Sequence, residues 1–272
     1  MRKLLATSVK RNPVIITWTT FGFLDLAFWR LSSRFGERFI VIHDPIPLGS
    51  QFGHGRIAIR LGAWGAAGKR THPVAHTALA AEELTKLGFR EVHILPHPVK
   101  LRRSSPRPLQ AARTILVAGQ FKGARDLALL QSIAEIAPPA WRLKIVGRGW
   151  PEVAGWEVDA RFLTEEELDE EMLNASAILI PYRFYFQSGI ATRAYELGRP
   201  VVANRHEFIS GLYGSAWAGL VDAPAGRAWV EAAEQVFDSR IEDLSEKMNQ
   251  LSTSLWTAAL SSAMSHTDGK KW

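Results

Sequence analysis

Short apolar runs alternate with amphipathic stretches along most of the 272-residue chain. The clearest unit is residues 178–204, ILIPYRFYFQSGIATRAYELGRPVVAN. Ile178-Leu179-Ile180 is uniformly apolar, the pattern of a strand buried on both faces of a parallel sheet. Pro181 ends it. Ser188 is placed to cap a helix that starts at Gly189 and Ile190, and Gly198 and Pro200 close it. Val201-Val202-Ala203 is the next strand. Such a unit aims its loop, residues 182–187 ending in Gln187, and its helix N-terminus at the carboxyl edge of the sheet. Open α/β sheets bind ligands at that edge, and a helix N-terminus favours phosphate.

The same alternation predicts the other elements. In the first half, strands fall at residues 13–18, 38–42, 72–76 and 91–95. Helices fall at 22–35, 57–67 and from Thr77 to Leu87, and residues 46–56 form a glycine-rich loop. Residues 100–113, KLRRSSPRPLQAAR, are basic, contain Pro and Ser and lack periodicity, which marks a linker. A second series follows, with strands at 114–118, 143–146, a short one at 161–163, and 218–221. Its helices are 125–137, an acidic one opened by a Thr164–Glu167 capping box, 207–213, 226–237 and 244–264. Residues 265–272 are expected to fray. The pattern predicts two doubly wound, Rossmann-like α/β domains facing a cleft. Their expected extents are 1–105 and 106–243, with a helix over 244–265 returning to the first.

The composition is that of a globular protein, with 47% hydrophobic and 22% charged residues. The chain has no cysteine, which excludes disulfides, thiolate chemistry and cysteine-bound zinc. No apolar run approaches the roughly 20 residues of a membrane span. The basic first residues lack an apolar core, so no signal peptide is expected. The net charge of +6 divides unevenly: residues 1–110 hold 17 Lys and Arg against 6 Asp and Glu, and the remainder holds 16 against 21. A basic first half suits an anionic lipid surface or an anionic substrate. The expected location is cytoplasmic, with peripheral contact to an anionic membrane.

Candidate chemistry gathers where predicted strands end. Lys122 and Arg125 follow the first strand of the second half, and Arg148 follows the next; three cations at one sheet edge suit a diphosphate. Gly147-x-Gly149 runs into Trp-Pro, so a dinucleotide fingerprint is missing, as are a Walker loop and a nucleophile elbow. His43, His76 and His97 each end a predicted strand. Without an H-x3-H or H-E-x-x-H pairing, no metal or other cofactor is expected. His43-Asp44 is the candidate for acid/base or polar contact work. Nucleic acid is not an expected partner, because the basic half lacks an aromatic-rich basic motif.

The segments TILVAGQFKGARDLALL, LKIVGRG, RFLTEEELDEEMLNASAILIPYR and QSGIATRAYELGRPVVA, in this order, resemble the donor-binding domain of group-1 GT-B nucleotide-sugar glycosyltransferases. The resemblance covers residues 112–237 and extends more weakly to FIVIHDP, VAHTALAAEELTKLGF and VHILPHPV, which look like acceptor-side segments. It implies that Gly119 lets the backbone approach the donor and that Lys122 or Arg125 takes the place of the family's phosphate-binding cations. Phe162 and Leu163 would meet the nucleobase, and the amides of Ser188, Gly189 and Ile190 the diphosphate. His43 resembles the acceptor-domain histidine that approaches the donor sugar.

The chain departs from the family pattern in several places. The E-x7-E glutamates would fall at 185 and 193, where the chain has Tyr185 and Arg193. Glu196, one turn on, is a candidate substitute, and Gln120 stands where arginine is frequent. The first domain is also short for the family, as in a truncated or reduced acceptor domain. The resemblance implies hexosyl transfer from a nucleotide sugar to a glycan or lipid acceptor, in envelope or polysaccharide synthesis, without a metal and with the anomeric outcome open. The alternatives are a GT-B nucleotide-binding or partner subunit without turnover, and a sugar-nucleotide epimerase of the same fold.

Overall fold

The computed structural model describes residues 13–32, 36–47, 51–99, 101 and 113–268. The chain divides into two units, Met1–His97 with Leu251–Trp272, and Pro98–Gln250. The linker expected over 100–113 lies, apart from Leu101 and Arg113, outside the described residues, as do 1–12, 33–35, 48–50 and 269–272.

The first unit holds β1 (Val14–Ile16), α1 (Leu24–Ser32), β2 (Arg38–Val41), α2 (Arg56–Ala66), β3 (Thr71–Ala75), α3 (Ala78–Lys86) and β4 (His93–Ile94). Its strands pair in parallel in the order β1-β2-β3-β4. Among the described residues they advance in one direction without reversal. Helices α1 and α2 approach closely because α2 offers glycines: a Cβ on Gly65 would lie 2.4 Å from the Ala27 nitrogen, and one on Gly62 2.8 Å from the Phe23 Cβ.

The second unit holds β5 (Arg113–Ala118), α4 (Leu127–Ile136), β6 (Trp141–Val146), β7 (Glu157–Asp159), α5 (Glu165–Asn174), β8 (Ala177–Ile180), α6 (Gly189–Glu196), β9 (Val201–Asn204), α7 (Glu207–Tyr213), β10 (Leu220–Val221) and α8 (Gly226–Val236). The strands are parallel in the order β10-β9-β8-β5-β6-β7. This is the doubly wound arrangement, and it reverses direction between β5 and β8. Those two strands are almost wholly buried, as apolar runs flanked by helices should be. Met172, Leu130, Ile133, Tyr195 and Trp229 complete one continuous core.

The last helix, α9 (Glu242–Asp268), passes from the second unit into the first. Trp256 packs with Phe39, Val41, Val74 and Leu95, and its indole Nε1 donates to the Pro96 carbonyl at 2.9 Å. The helix runs four residues beyond the expected end at Met264, through part of the segment expected to fray. A second difference is at 161–163, which is loop. The edge strand is instead the polar Glu157–Asp159, paired on one side only, so it carries no apolar signature.

Candidate nucleoside diphosphate site

The reversal between β5 and β8 brings two loops together. Asp126 donates its amide to the Pro181 carbonyl at 2.8 Å, and the Arg183 amide donates to Ala124 O at 2.9 Å. Arg125 and Tyr182 form an isolated antiparallel bridge. The Asn204 side chain donates to Tyr182 O at 3.0 Å, which ties the end of β9 to the same place. Asp126 also caps α4 by accepting from the Leu129 amide, a role the sequence reading placed inside the helix.

Glycines let the backbones meet here. Gly119 and Gly147 have φ of 92° and 131°, conformations that other residues rarely adopt. A Cβ on Gly147 would lie 2.4 Å from the Gly119 oxygen. A Cβ on Gly119 would stand 3.2 Å from the Ile190 Cδ1 and 3.4 Å from the Arg125 Nη2. Gly119, Arg125 and Ile190 are therefore neighbours, as the sequence reading expects for one ligand edge. Trp150 Nε1 holds the Gly119 oxygen at 2.7 Å.

Arg125 is 2% exposed. Its Nη2 donates to Ala118 O at 2.7 Å, and it lies over the Tyr182 ring at 4.1 Å and near Trp150 at 5.3 Å. Among the described residues, Nη1 and Nε are buried without a hydrogen-bond partner. Burial lowers the guanidinium pKa from its ordinary value, and Tyr182 offsets part of this. Burial pushes the Tyr182 hydroxyl up, with Arg125 acting against it. A buried cation with two unused donor nitrogens is costly unless an anion completes it.

Ser188 caps α6 by accepting from the Ala191 amide at 3.2 Å. Helix geometry leaves the Gly189 and Ile190 amides without intrahelical partners. Gly189 is exposed, Ser188 is buried, and Gln187 and Ile190 are half-buried. Arg148 and Lys122 are exposed, and Arg148 donates to Gln120 Oε1 at 3.3 Å. Phe162 is 73% exposed at the loop after β7. Leu163 does not join it: it turns into the core, so its apolar surface is already spent on packing.

The positions of the missing glutamates are filled by structural contacts. Tyr185 is buried and stacks on His206 with ring centres 4.2 Å apart, and burial raises its hydroxyl pKa. Arg193 binds Asp169 at 2.5 Å and Glu165, which ties α6 to α5. Glu196, the candidate substitute, is the last residue of α6. At 1.5 Å rise per residue it stands roughly 10 Å along the axis from Gly189, away from the helix N-terminus.

In the first unit His43, His76 and His97 converge. One ring nitrogen of each lies within 4.8 Å of those of the others. Burial drops His76 to about 3, with its hydrogen bond to Leu95 opposing and the other two histidines adding to the fall. Spacing motifs do not reveal this cluster, because its members follow three separate strands. The available signal was that all three end a strand. Tyr182, Trp150 and Asp126 carry no signal in the sequence either, as an aromatic or acidic residue in a loop has no motif of its own.

The chain has the GT-B fold. No family model and no curated relative matches it, and the likeness lies in solved structures. TarM from S. aureus in complex with UDP superimposes with a TM-score of 0.63 at 12% identity, over 95% of this chain and 57% of TarM. HepE from Anabaena in complex with UDP-glucose gives 0.59 at 13% identity, over 94% of this chain and 81% of HepE. A trehalose-phosphate synthase (UDP-forming) from Burkholderia vietnamiensis gives 0.59 at 9% identity, over 99% and 76%. This chain thus spans little more than half the length of TarM.

Proposed function

We propose that the protein is a glycosyltransferase that takes a hexose from a nucleoside diphosphate donor to a glycan or lipid acceptor. The observation that carries this is the Arg125 guanidinium, buried at the β5–β8 reversal with Nη1 and Nε unused. Breaking the bond between the anomeric carbon and the diphosphate leaves negative charge on the leaving oxygen. Arg125, the Gly189 and Ile190 amides, and Lys122 and Arg148 at the rim are the groups to stabilise it. Gly119 gives the diphosphate room, and exposed Phe162 offers the base a ring to stack on. The complexes of HepE and TarM with uridine nucleotides favour UDP as the carrier. In the first unit, His43 and Asp44, just past β2, are the groups suited to acid/base or polar contact work.

Isothermal titration with UDP, GDP and ADP tests the donor half. One nucleotide binding in the micromolar range, weakened at least about tenfold in Arg125→Met, supports the reading, and no binding of any of the three overturns it. Release of free nucleotide from its sugar upon addition of acceptor tests transfer.

A second reading, a GT-B nucleotide-binding subunit without turnover, is favoured by Tyr185 and by the occupied Arg193. Tight nucleotide binding with no sugar released on any acceptor would select it.

We also propose that the first unit rests on an anionic membrane, which fits a role at the inner face of a cell envelope. Ile57, Leu61 and Trp64 of α2, and Phe28 and Leu31 of α1, are exposed. Arg56 and Arg60 are exposed on α2, and Arg30 lies over the Trp64 ring at 4.1 Å. Apolar side chains edged by arginines suit the headgroup boundary. Among the described residues no helix is long and apolar enough to cross a membrane. Cosedimentation with phosphatidylglycerol vesicles but not phosphatidylcholine vesicles, abolished by Ile57→Asp with Trp64→Asp, is the expected result.

A further inference from the structure

The carboxyl edge of the first sheet is organised around the three histidines. His43 lies two residues after β2, His76 one after β3, and His97 three after β4. These strands are adjacent and parallel. The ring centres of His76 and His97 are 4.7 Å apart, those of His43 and His76 5.4 Å, and those of His43 and His97 6.1 Å.

Two of the rings are fixed by backbone carbonyls. His43 Nε2 lies 2.7 Å from Thr17 O, just past β1, and His76 Nδ1 lies 2.8 Å from Leu95 O, just past β4. A carbonyl only accepts, so both of those nitrogens carry the proton. The lone pairs of the neutral rings then sit on His43 Nδ1 and His76 Nε2. His43 Nδ1 is buried and, among the described residues, has no hydrogen-bond partner. An imidazole that gives one N–H to a backbone carbonyl and turns the other nitrogen inward is the arrangement that orients a metal ligand.

We propose that His43 Nδ1, His76 Nε2 and one ring nitrogen of His97 bind a divalent transition metal of the zinc class, with a further coordination position left for water or one oxygen ligand. Neutral imidazoles suit Zn2+, Co2+, Ni2+ or Cu2+ and not Mg2+ or Ca2+, which prefer oxygen. Metal–nitrogen bonds of about 2.0–2.1 Å in a tetrahedral set place the nitrogens roughly 3.3 Å apart. The ligand nitrogens here lie within 4.8 Å of one another, a spread that admits this spacing. The site uses the first unit alone and does not rest on the donor reading.

The test uses the full chain, stripped with a chelator and dialysed. Zn2+ is titrated calorimetrically and Co2+ by its visible ligand-field absorption, on the native protein and on His43→Gln, His76→Asn and His97→Gln. Far-UV circular dichroism without metal reports whether each variant folds, and His54→Gln is the control. Expected are about one metal per chain with imidazole-type Co2+ bands, and an affinity weakened by more than about tenfold in each folded cluster variant but not in the control. If His76→Asn does not fold, the other two variants decide the matter. A dissociation constant near or above about 1 mM, or binding that the cluster variants leave unchanged, overturns the site.

Discussion

The guanidinium of Arg125 rests 4.1 Å above the ring of Tyr182, while its Nη2 holds the last carbonyl of β5, Ala118 O. The contact spans the β5–β8 reversal, with Arg125 on one strand's loop and Tyr182 on the other's. The ring shields one face of the cation, and among the described residues Nη1 and Nε have no acceptor. Arg125→Met, which keeps the packing and removes the charge, should change unfolding free energy by no more than about 1 kcal/mol, because an unpaired buried charge is itself costly. It should weaken binding of UDP by about 1.5–3 kcal/mol, the worth of hydrogen bonds to a charged group. Urea unfolding and calorimetry read the two effects separately, and a large loss of stability with unchanged affinity contradicts the assignment.

Glycines at the same edge should respond unequally. Gly147→Ala meets a backbone oxygen at 2.4 Å with φ at 131°, and should cost about 2 kcal/mol or more. Gly189→Ala meets nothing within 4 Å and should be neutral or stabilising by up to about 1 kcal/mol. Equal costs in chemical denaturation would show that the two backbones are not held as described.

Arg193 offers a test of the substituted glutamate. Arg193→Glu puts a glutamate where the resemblance would place one, but sets it against Glu165 and Asp169. It should destabilise by about 1–3 kcal/mol through like-charge contact. Adding Asp169→Arg should recover much of that loss. A double-mutant cycle measures the coupling, and a coupling near zero rejects an α5–α6 tie.

His206 predicts a pH dependence. Its Nδ1 accepts from the Phe208 amide at 3.1 Å, capping α7, and burial lowers its pKa while Glu207 and the Tyr185 backbone oppose this. The unfolded chain therefore binds a proton more readily than the folded one. The stabilisation is complete above the ordinary histidine pKa and is lost as pH falls through that value toward the lower folded one. His206→Asn keeps an acceptor at the cap and should flatten the fall in stability between pH 7 and pH 5. An unchanged slope in thermal melts over that range would place the acid sensitivity elsewhere.

Trp256 should matter to one unit only. Trp256→Ala removes the ring that Phe39, Val41, Val74 and Leu95 pack on, and should cost about 3–5 kcal/mol. Hydrogen exchange should rise in β2 and β3 and stay unchanged in β5 and β8. Faster exchange throughout would mean that the two units unfold as one.

The sequence shows most of the strands because buried parallel strands are continuous apolar runs, and Ala177–Ile180 and Ile115 to Ala118 are of that kind. It hides β7, a polar edge strand, and so misplaces a strand onto Phe162 and Leu163. Local spacing finds the Ser188 cap and the Thr164–Glu167 box, since caps are decided within a few residues. It cannot say that Arg125 is buried whereas Lys122 and Arg148 are exposed, since burial depends on the loop after β8 folding over it. Nor can spacing register that three histidines from separate strands meet, because strand order is set by the whole sheet.

The passage of α9 from one unit to the other also sets an order of events during synthesis. Every strand of the second unit has left the ribosome before Trp256, which the first unit needs to close its core. The later-made unit is therefore the one able to fold first, and the earlier-made one waits with Phe39 and Val74 uncovered. Premature termination within the last helix would spare the Arg125 edge and leave the histidine cluster on an unfinished core.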